Sequence, residues 1–565
     1  MSKLVQQSTE ELRKRILEAI GKAVANGELP EEPIPDFAIE VPADRAHGDW
    51  ATNAAMVSAR AFKQAPRKIA EAIVSNLDLS DTYFKPACEI AGPGFINFSL
   101  NEQFYVDVLR DIEKMGDQYG RSDYGQGKKI MVEFVSANPT GPMHMGNARG
   151  GALGDCLSSV LDAAGYDVWR EFYVNDAGNQ IEKFGISLET RYLQIYLGED
   201  QVPFPEDGYQ GDDIKDRAME FSELNGDAFV HADSEMRRKA LVDYALPKNI
   251  DKMKADLTKY RIAYDQWFLE STIHNNGELE ETIELLKNRG MTYEQDGALW
   301  YRATQFGAEK DEVLIRQNGN PTYFAADIAY HRNKFEKRHF DRCIDIWGAD
   351  HHGHVARMKG AMNAVGLDGN KLDVILMQLV RLTQNGEIVR MSKRTGKAIQ
   401  LGDLLDEVPV DAARFLFAMR EANSQMEFDL DLAVQQDSQN PVYYVQYARA
   451  RICSIFKALA NDGIFPRSCT DEELGLLTAP AEIELIRHLS AYTGEIVQAA
   501  KDYDPASIIR YVITLATLFH KFYDACRVKG DQESLTAARM ALCTATSTVI
   551  CNVLKMFKIS APETM

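Results

Sequence analysis

Apolar residues recur at helical spacing near the start of the chain. Leu12, Ile16, Ile20 and Ala23 share one helix face, and Ser8 with Glu11 has the spacing of a capping box that would open that helix. A short strand over 37–41, a helical stretch over 66–77 and the turn-plus-strand run GPGFINFSL (92–100) complete a small α+β unit. KKIMVEFV (128–135) is a compact apolar run holding one acid, the pattern of a buried parallel strand. A Gly/Pro loop, a helical stretch (148–165) and the strand-like DVWREFYV (167–174) follow, which makes a βαβ unit. Polar helical sequence then intervenes, before CIDIW (343–347) and DVILMQLV (373–380) resume the strand pattern. Beyond about 405 the periodicity is helical throughout, clearest in 441–460 and 507–526. The pattern predicts a multidomain α/β chain: an α+β domain at 1–112, a parallel-sheet core split into 113–190 and 301–404 by an insertion at 191–300, and a helical domain at 405–565.

Composition narrows this picture only a little. The 63 basic and 84 acidic side chains give a net charge of -21, which opposes indiscriminate adhesion to nucleic acid or anionic lipid but leaves room for a local basic RNA site. The eight cysteines contain no C-x-x-C pair, so neither a zinc ribbon nor a dithiol redox site is indicated, and they read as buried residues of a reduced protein. The first residues lack the apolar core of a signal peptide, and no run suggests a membrane span. A soluble, cytoplasmic protein without membrane contact is expected.

The candidate chemistry lies in two loops. In ANPTGPMHMGNARG (137–150), Pro139 and Pro142 stiffen the backbone, and His144 falls where a helix starts after a parallel strand. A helix start there offers free N–H groups to phosphate. RMSKRTGK (390–397) carries four basic side chains among Ser392, Thr395 and Gly396, a composition suited to gripping a polyphosphate. Glu133 inside its apolar strand demands a cation, which either an internal Lys or Arg or a bound ligand would supply. Tyr323 and Asp327, four apart, share one helix face. The paired histidines of WGADHHGH (347–354) suit either a metal site or a polar helix start.

Read together, His144-Met145-Gly146-Asn147 and Arg390-Met391-Ser392-Lys393-Arg394 resemble the paired signatures of the class I aminoacyl-tRNA synthetases. With HGDWATN (47–53), SANPTGPMHMGN (136–147), YVNDAGNQ (173–180), DGALWYR (296–302), PTYFAADIAYH (321–331), NPVYYVQYARARI (440–452) and PETM (562–565), the chain is similar to bacterial arginyl-tRNA synthetases over essentially its whole length. The resemblance implies a Rossmann-like class I core with an inserted domain, an N-terminal module meeting the tRNA elbow, and a helical anticodon-binding domain. It implies an arginine–tRNA ligase that uses ATP with Mg2+, holds no structural metal, takes L-arginine and tRNA(Arg), and works as a monomer.

By the same resemblance, His144, Gly146, Asn147, Ser392 and Lys393 are catalytic, and Gly348, Asp350, His352 and Met391 join His144, Gly146, Asn147 and Lys393 around ATP. Glu133, Ser136, Asn138, His144, Tyr323 and Asp327 would bind arginine. Tyr444, Tyr447, Arg449 and Arg451 would meet the anticodon loop, and the basic run 331–342 would lie near the acceptor end. Asn147 stands where the signature has a second histidine and cannot carry its charge, which moves the electrostatic task toward Lys393, Arg390 and Arg394. A glutamyl- or glutaminyl-type synthetase and an inactive RNA-binding relative are the alternatives.

Overall fold

The computed structural model describes residues 3–42, 44, 47–389 and 399–565. The first helix, Lys3–Ala25, buries Leu4, Leu12, Ile16 and Ile20 and packs on the helix Pro66–Asn76. It starts a turn and a half before the expected capping box. Ser8 lies inside it, and its hydroxyl donates to the Leu4 carbonyl (2.7 Å) because Leu4 already begins the buried stripe. A four-stranded antiparallel sheet, Ile39–Glu40, Trp50–Thr52, Phe95–Phe98 and Glu89–Ala91 in spatial order, completes this region.

The centre of the molecule is a five-stranded, wholly parallel sheet in the order Leu372–Met377, Arg342–Gly348, Lys129–Glu133, Asp167–Val174 and Gln266–Leu269. Chain order therefore runs outward in both directions from the pair Lys129–Glu133 and Arg342–Gly348. Between the first two strands in sequence runs the helix Gly146–Ala163, buried almost throughout. It reaches the sheet closely because a Cβ at Gly154 would lie 2.1 Å from the Phe134 ring. The insertion has its own small core of Phe184, Leu188, Tyr192, Ile214, Phe221 and Leu241 on three helices.

Three boundaries differ from the sequence reading. The span 191–300 is not wholly an insertion, since Gln266–Leu269 is the edge strand of the central sheet; four residues with one fully buried side chain leave no visible pattern. DVILMQLV is not one strand: Leu372–Met377 ends in the central sheet, Leu379 is 83% exposed, and Val380–Gln384 opens a separate three-stranded sheet. The region beyond 405 is not all helix, because Met426–Asp429 pairs parallel with Val380–Gln384.

The remainder is a helical bundle, chiefly Pro441–Asn461, Pro480–Asp502, Ala506–Ala525 and Glu533–Met556. The last is long and apolar enough to cross a membrane, but 67% of its most apolar window is buried inside the protein, as in a core helix. The segment after it returns to the central domain. Arg414 donates to the Phe557 carbonyl (2.7 Å), Arg261 to that of Lys558 (2.7 Å), Gln446 to that of Ser560 (2.8 Å) and Arg449 to that of Ala561 (2.6 Å). Lys558 Nζ and the Arg414 guanidinium both bind Asp155, a fully buried carboxylate in the middle of the helix Gly146–Ala163.

Removing one partner of such a buried pair strands the other charge. Asp155→Asn, which strands the fully buried Arg414, should therefore cost about 3–5 kcal/mol in urea unfolding, and adding Arg414→Met should recover part of that loss in a double-mutant cycle.

Candidate active site

Where a parallel sheet is wound in both directions from one strand pair, the crossovers part and leave a crevice beyond the strand ends. Here that pair is Lys129–Glu133 and Arg342–Gly348, with Glu133 directly opposite Asp345. The backbone leaves Glu133 through Val135 (φ +70°) and Ser136 (φ +42°), a left-handed excursion uncommon for a β-branched residue. Ser136 stabilises it: its hydroxyl donates to Glu133 Oε1 (3.1 Å) and accepts from the Tyr173 amide (3.1 Å). A cavity of about 480 Å³ opens here, lined by Glu133, Ser136, Tyr173, Asp327, Trp347 and His354, among others.

The floor of this cavity is a buried charge network. Lys334 Nζ, on a short π turn Asn333–Lys337, lies 2.7 Å from Glu133 Oε2 and 2.9 Å from Asp345 Oδ1. His331 Nε2 is 2.7 Å from the other Asp345 oxygen. The Tyr330 hydroxyl sits 2.6 Å from Glu171 and 3.0 Å from Glu133, and Arg338 grips Glu171 with two nitrogens. Burial pushes the Glu133 carboxyl up, against the pull of Lys334. Burial opposes the charge on Lys334 as well, but Asp345 and Glu133 outweigh it and hold the ammonium well above the usual lysine range. Asp345, which burial alone would raise, is held at about 2 by Lys334 and His331.

Three carboxylates, Glu133, Glu171 and Asp345, thus face two fixed cations. Asp327 adds a fourth at the cavity wall, with His354 Nε2 3.2 Å away. The cavity is short of positive charge, and a planar cation with several donors would complete it. Tyr323 starts the helix Tyr323–Arg332, one turn before Asp327 as the spacing predicted, and its hydroxyl accepts from the Gln180 amide (3.2 Å).

The glycine-proline loop forms the other side. Pro139 is buried and its carbonyl accepts from Asn249 of the insertion (3.0 Å), while Asn138 is exposed. The amide of Met145 donates to the Ile399 carbonyl (3.0 Å) and that of Leu401 to Met143 (2.9 Å). The loop is therefore stitched to the residues that directly follow RMSKRTGK. His144 is exposed; its Nδ1 accepts from the Gly146 amide (3.1 Å), so a neutral ring carries its proton on Nε2. Asn147 is half-buried, and its side-chain amide makes no hydrogen bond among the described residues. His144 and Met145 line a second cavity, of about 460 Å³, with Val380, Leu382, Val389 and Ile399.

Gly348 ends its strand at the first cavity, Asp350 stands exposed at the mouth, and His352 is exposed at the start of the next helix. Arg390, Met391, Ser392, Lys393 and Arg394 lie outside the described residues. Two of the residues assigned to RNA face inward. Arg449 is spent on Cys551 Sγ, the Ala561 carbonyl and Glu563, and the Tyr444 hydroxyl is bonded to Thr517 (3.3 Å). Tyr447 and Arg451 are at the surface, where the Arg451 guanidinium lies between the rings of Tyr447 (4.9 Å) and Tyr523 (4.8 Å). The run 331–342 is not a solvated basic face: Lys334, Arg338 and Arg342 are consumed by Glu133, Glu171 and Asp373. Sequence reasoning missed Lys334, Asp345, Glu171 and His354. A usable signal existed, since the acids of REFYV and CIDIW interrupt their strands as Glu133 does.

Comparison with known proteins agrees with this arrangement. Residues 110–452 match the model of the tRNA synthetases class I (R) catalytic domain, residues 10–100 that of the arginyl tRNA synthetase N terminal domain, and residues 445–565 that of the DALR anticodon binding domain. An arginine–tRNA ligase of Acetivibrio thermocellus is 55% identical over 565 residues, and one of Caldanaerobacter subterraneus subsp. tengcongensis is 57% identical, each covering 100% of both chains. The arginyl-tRNA synthetase of Thermus thermophilus shares the fold with a TM-score of 0.71 over 98% of this chain and 100% of its own, at 21% identity.

Lys334→Met should leave Glu133 and Asp345 facing each other without a cation, at about 3–5 kcal/mol of stability in urea unfolding near neutral pH. One carboxylate must then keep a proton in the folded state, so its folded pKa rises above the unfolded value. The deficit should accordingly deepen as pH rises from 5 to 8 and shrink toward pH 5; a deficit independent of pH would refute the shared-cation account.

Proposed function

The chain belongs to the arginyl-tRNA synthetases, and we propose that its acidic switch-point cavity takes the arginine side chain while the His144 loop takes ATP. The enzyme activates L-arginine with ATP and joins it to tRNA(Arg). The observation that carries the proposed assignment is that Glu133 and Asp327 face a crevice of suitable size whose nearby cations are already spent, Lys334 on Glu133 and Asp345 and the lining residue Arg357 on Glu312. A guanidinium supplies the missing charge and in-plane donors for Glu133, Asp327 and the Tyr323 oxygen. Glutamyl activation would need free cations instead, and Lys334 and Arg338 are already neutralised.

In the first step an oxygen of the arginine carboxylate attacks the α-phosphorus of ATP. The α–β bridging bond breaks, pyrophosphate leaves with its electron pair, and arginyl-adenylate remains. In the second, a ribose hydroxyl at the tRNA 3′ end attacks the arginyl carbonyl, loses its proton, and AMP departs. Neither step needs a protein nucleophile, so orientation and charge do the catalysis. We assign Ser136 and Asn138 to the amino-acid end, His144, Gly146 and Asn147 to the phosphates, and Gly348, Asp350 and His352 to the nucleotide. Met391, Ser392 and Lys393 are assigned to ATP from the sequence pattern alone. Magnesium would come with ATP, bound chiefly through the phosphates, and would lower the charge on the leaving pyrophosphate; the exposed Asp350 carboxylate at the mouth would be a hard-oxygen group within reach of its waters.

For RNA we assign the Tyr447–Arg451–Tyr523 stack, with Tyr447 and Tyr523 37% and 38% exposed beside a cavity of about 530 Å³. Aromatic faces interleaved with a guanidinium suit unstacked bases of a single-stranded loop. We assign 1–112 to the tRNA elbow, 113–190 and 301–440 with the strand Gln266–Leu269 to activation, the rest of 191–300 to a connective role, and the helical bundle from Pro441 onward to the anticodon arm. The protein is proposed to act as a cytoplasmic monomer without membrane contact.

Arginine-dependent ATP–pyrophosphate exchange, run with and without tRNA, tests the activity directly. Asp327→Ala should raise the KM for arginine by about tenfold or more while the KM for ATP moves less than about threefold; equal shifts would remove Asp327 from the arginine site. Asn147→His should stay within about threefold of the parent in exchange if the position supplies only a hydrogen bond.

A further inference from the structure

Arg149 is 1% exposed and occupies the fourth position of the helix Gly146–Ala163, two residues after Asn147. Its side chain meets no carboxylate among the described residues. One Nη donates to the Gln378 carbonyl (2.8 Å), and the other to the carbonyls of Glu421 (2.8 Å) and Ser424 (2.9 Å). Burial alone acts on its charge, in the lowering direction. A buried guanidinium satisfied only by backbone is costly and is not needed to fill space, because an apolar side chain of similar volume would do that more cheaply.

The three carbonyls are not scattered. Gln378 is the residue at which the chain leaves the central sheet, and its amide donates to the Ala422 carbonyl (2.9 Å), inside the segment Arg149 also grips. Two residues on, Val380 pairs with Met426, and the strands Val380–Gln384 and Glu387–Val389 form the hairpin that leads to Arg390. The same hairpin and the His144 loop are the two walls of the second cavity. Arg149 therefore ties the base of one wall to the base of the other, and a flat fork with several fixed donors can hold three carbonyls at once where an ammonium can only share itself among them. Its charge is also uncancelled within one turn of the helix start, close to where Asn147 contributes none.

We propose that Arg149 is a positioning residue for the activation step, fixing the His144 loop and the Val380–Val389 hairpin at the separation ATP requires. This inference rests on the activity assigned above. It concerns ATP and not arginine, since the acidic cavity is built from other elements.

Two substitutions test it: Arg149→Lys keeps the charge and loses the fork, and Arg149→Gln keeps two donors and loses the charge. In pyrophosphate exchange, Arg149→Lys should lower kcat by about tenfold or more and raise the KM for ATP, with the KM for arginine within about twofold. Hydrogen exchange should quicken at residues 143–148 and 378–382 and not in the helical bundle. Unchanged ATP kinetics in both variants, or a joint rise of both KM values that tracks a fall in Tm, would overturn the proposal. So would a chain that folds with neither substitution, which would make Arg149 an ordinary core group. The unsubstituted enzyme, run in parallel, separates the failures: no arginine-dependent exchange there defeats the activity and the proposal together, whereas normal exchange there with unaffected variants defeats the Arg149 role alone.

Discussion

The ammonium of Lys334, shared between Glu133 and Asp345, is the constraint on which the centre of the molecule depends. Two carboxylates on adjacent parallel strands, directly opposite each other, cannot both ionise in a buried sheet without a cation between them. The sharing also fixes register. A slip of one residue between these strands would turn one acid to the opposite face and leave the ammonium half-paired. Because the two strands flank the point where the winding reverses, the interaction that holds the sheet together also makes the crevice acidic. The stability of the sheet and the acidity of the crevice thus draw on the same atoms.

Asymmetry within that network gives the site its direction. Glu133 offers one oxygen to Lys334 and Tyr330 and keeps the other on Ser136, a neutral donor that a stronger one can displace. Asp345 is saturated by Lys334 and His331 and has nothing left to offer. The acids of the network and wall that face the cavity are therefore Glu133 and Asp327, the two that a sequence reading can name from an acid inside a strand and from a four-residue helix spacing.

Much of the architecture was legible because its periodicities are long. The strand Asp167–Val174 and the helices Pro441–Asn461 and Ala506–Ala525 fall where the pattern puts them. What failed was short or depended on distant partners. Gln266–Leu269 and Met426–Asp429 have four residues each and gain their identity only from the strands beside them. The basic run 331–342 looked free to meet the acceptor end because its counter-ions, Glu133 and Glu171, lie far upstream in the chain. Arg449 looked like an RNA contact for the same reason, since its partners belong to the segment after the last helix. Charge in a sequence says that a partner exists; only the fold says whether it is solvent, substrate or the chain itself.

The return of that last segment to Asp155 bears on the order in which the molecule can be completed. Asp155 sits in the helix that follows His144 and carries Asn147, yet Arg414 and Lys558, which bind it most closely, come 259 and 403 residues later. During synthesis from the N-terminus the sheet can close and the helix can dock with Arg170 beside Asp155, but the carboxylate gains its full set of cations only when the final residues emerge. The charge balance of the helix behind the His144 loop is thus completed, at the level of one buried carboxylate, only by the segment after the last helix. A nascent chain would finish the setting of that loop last, with its final residues.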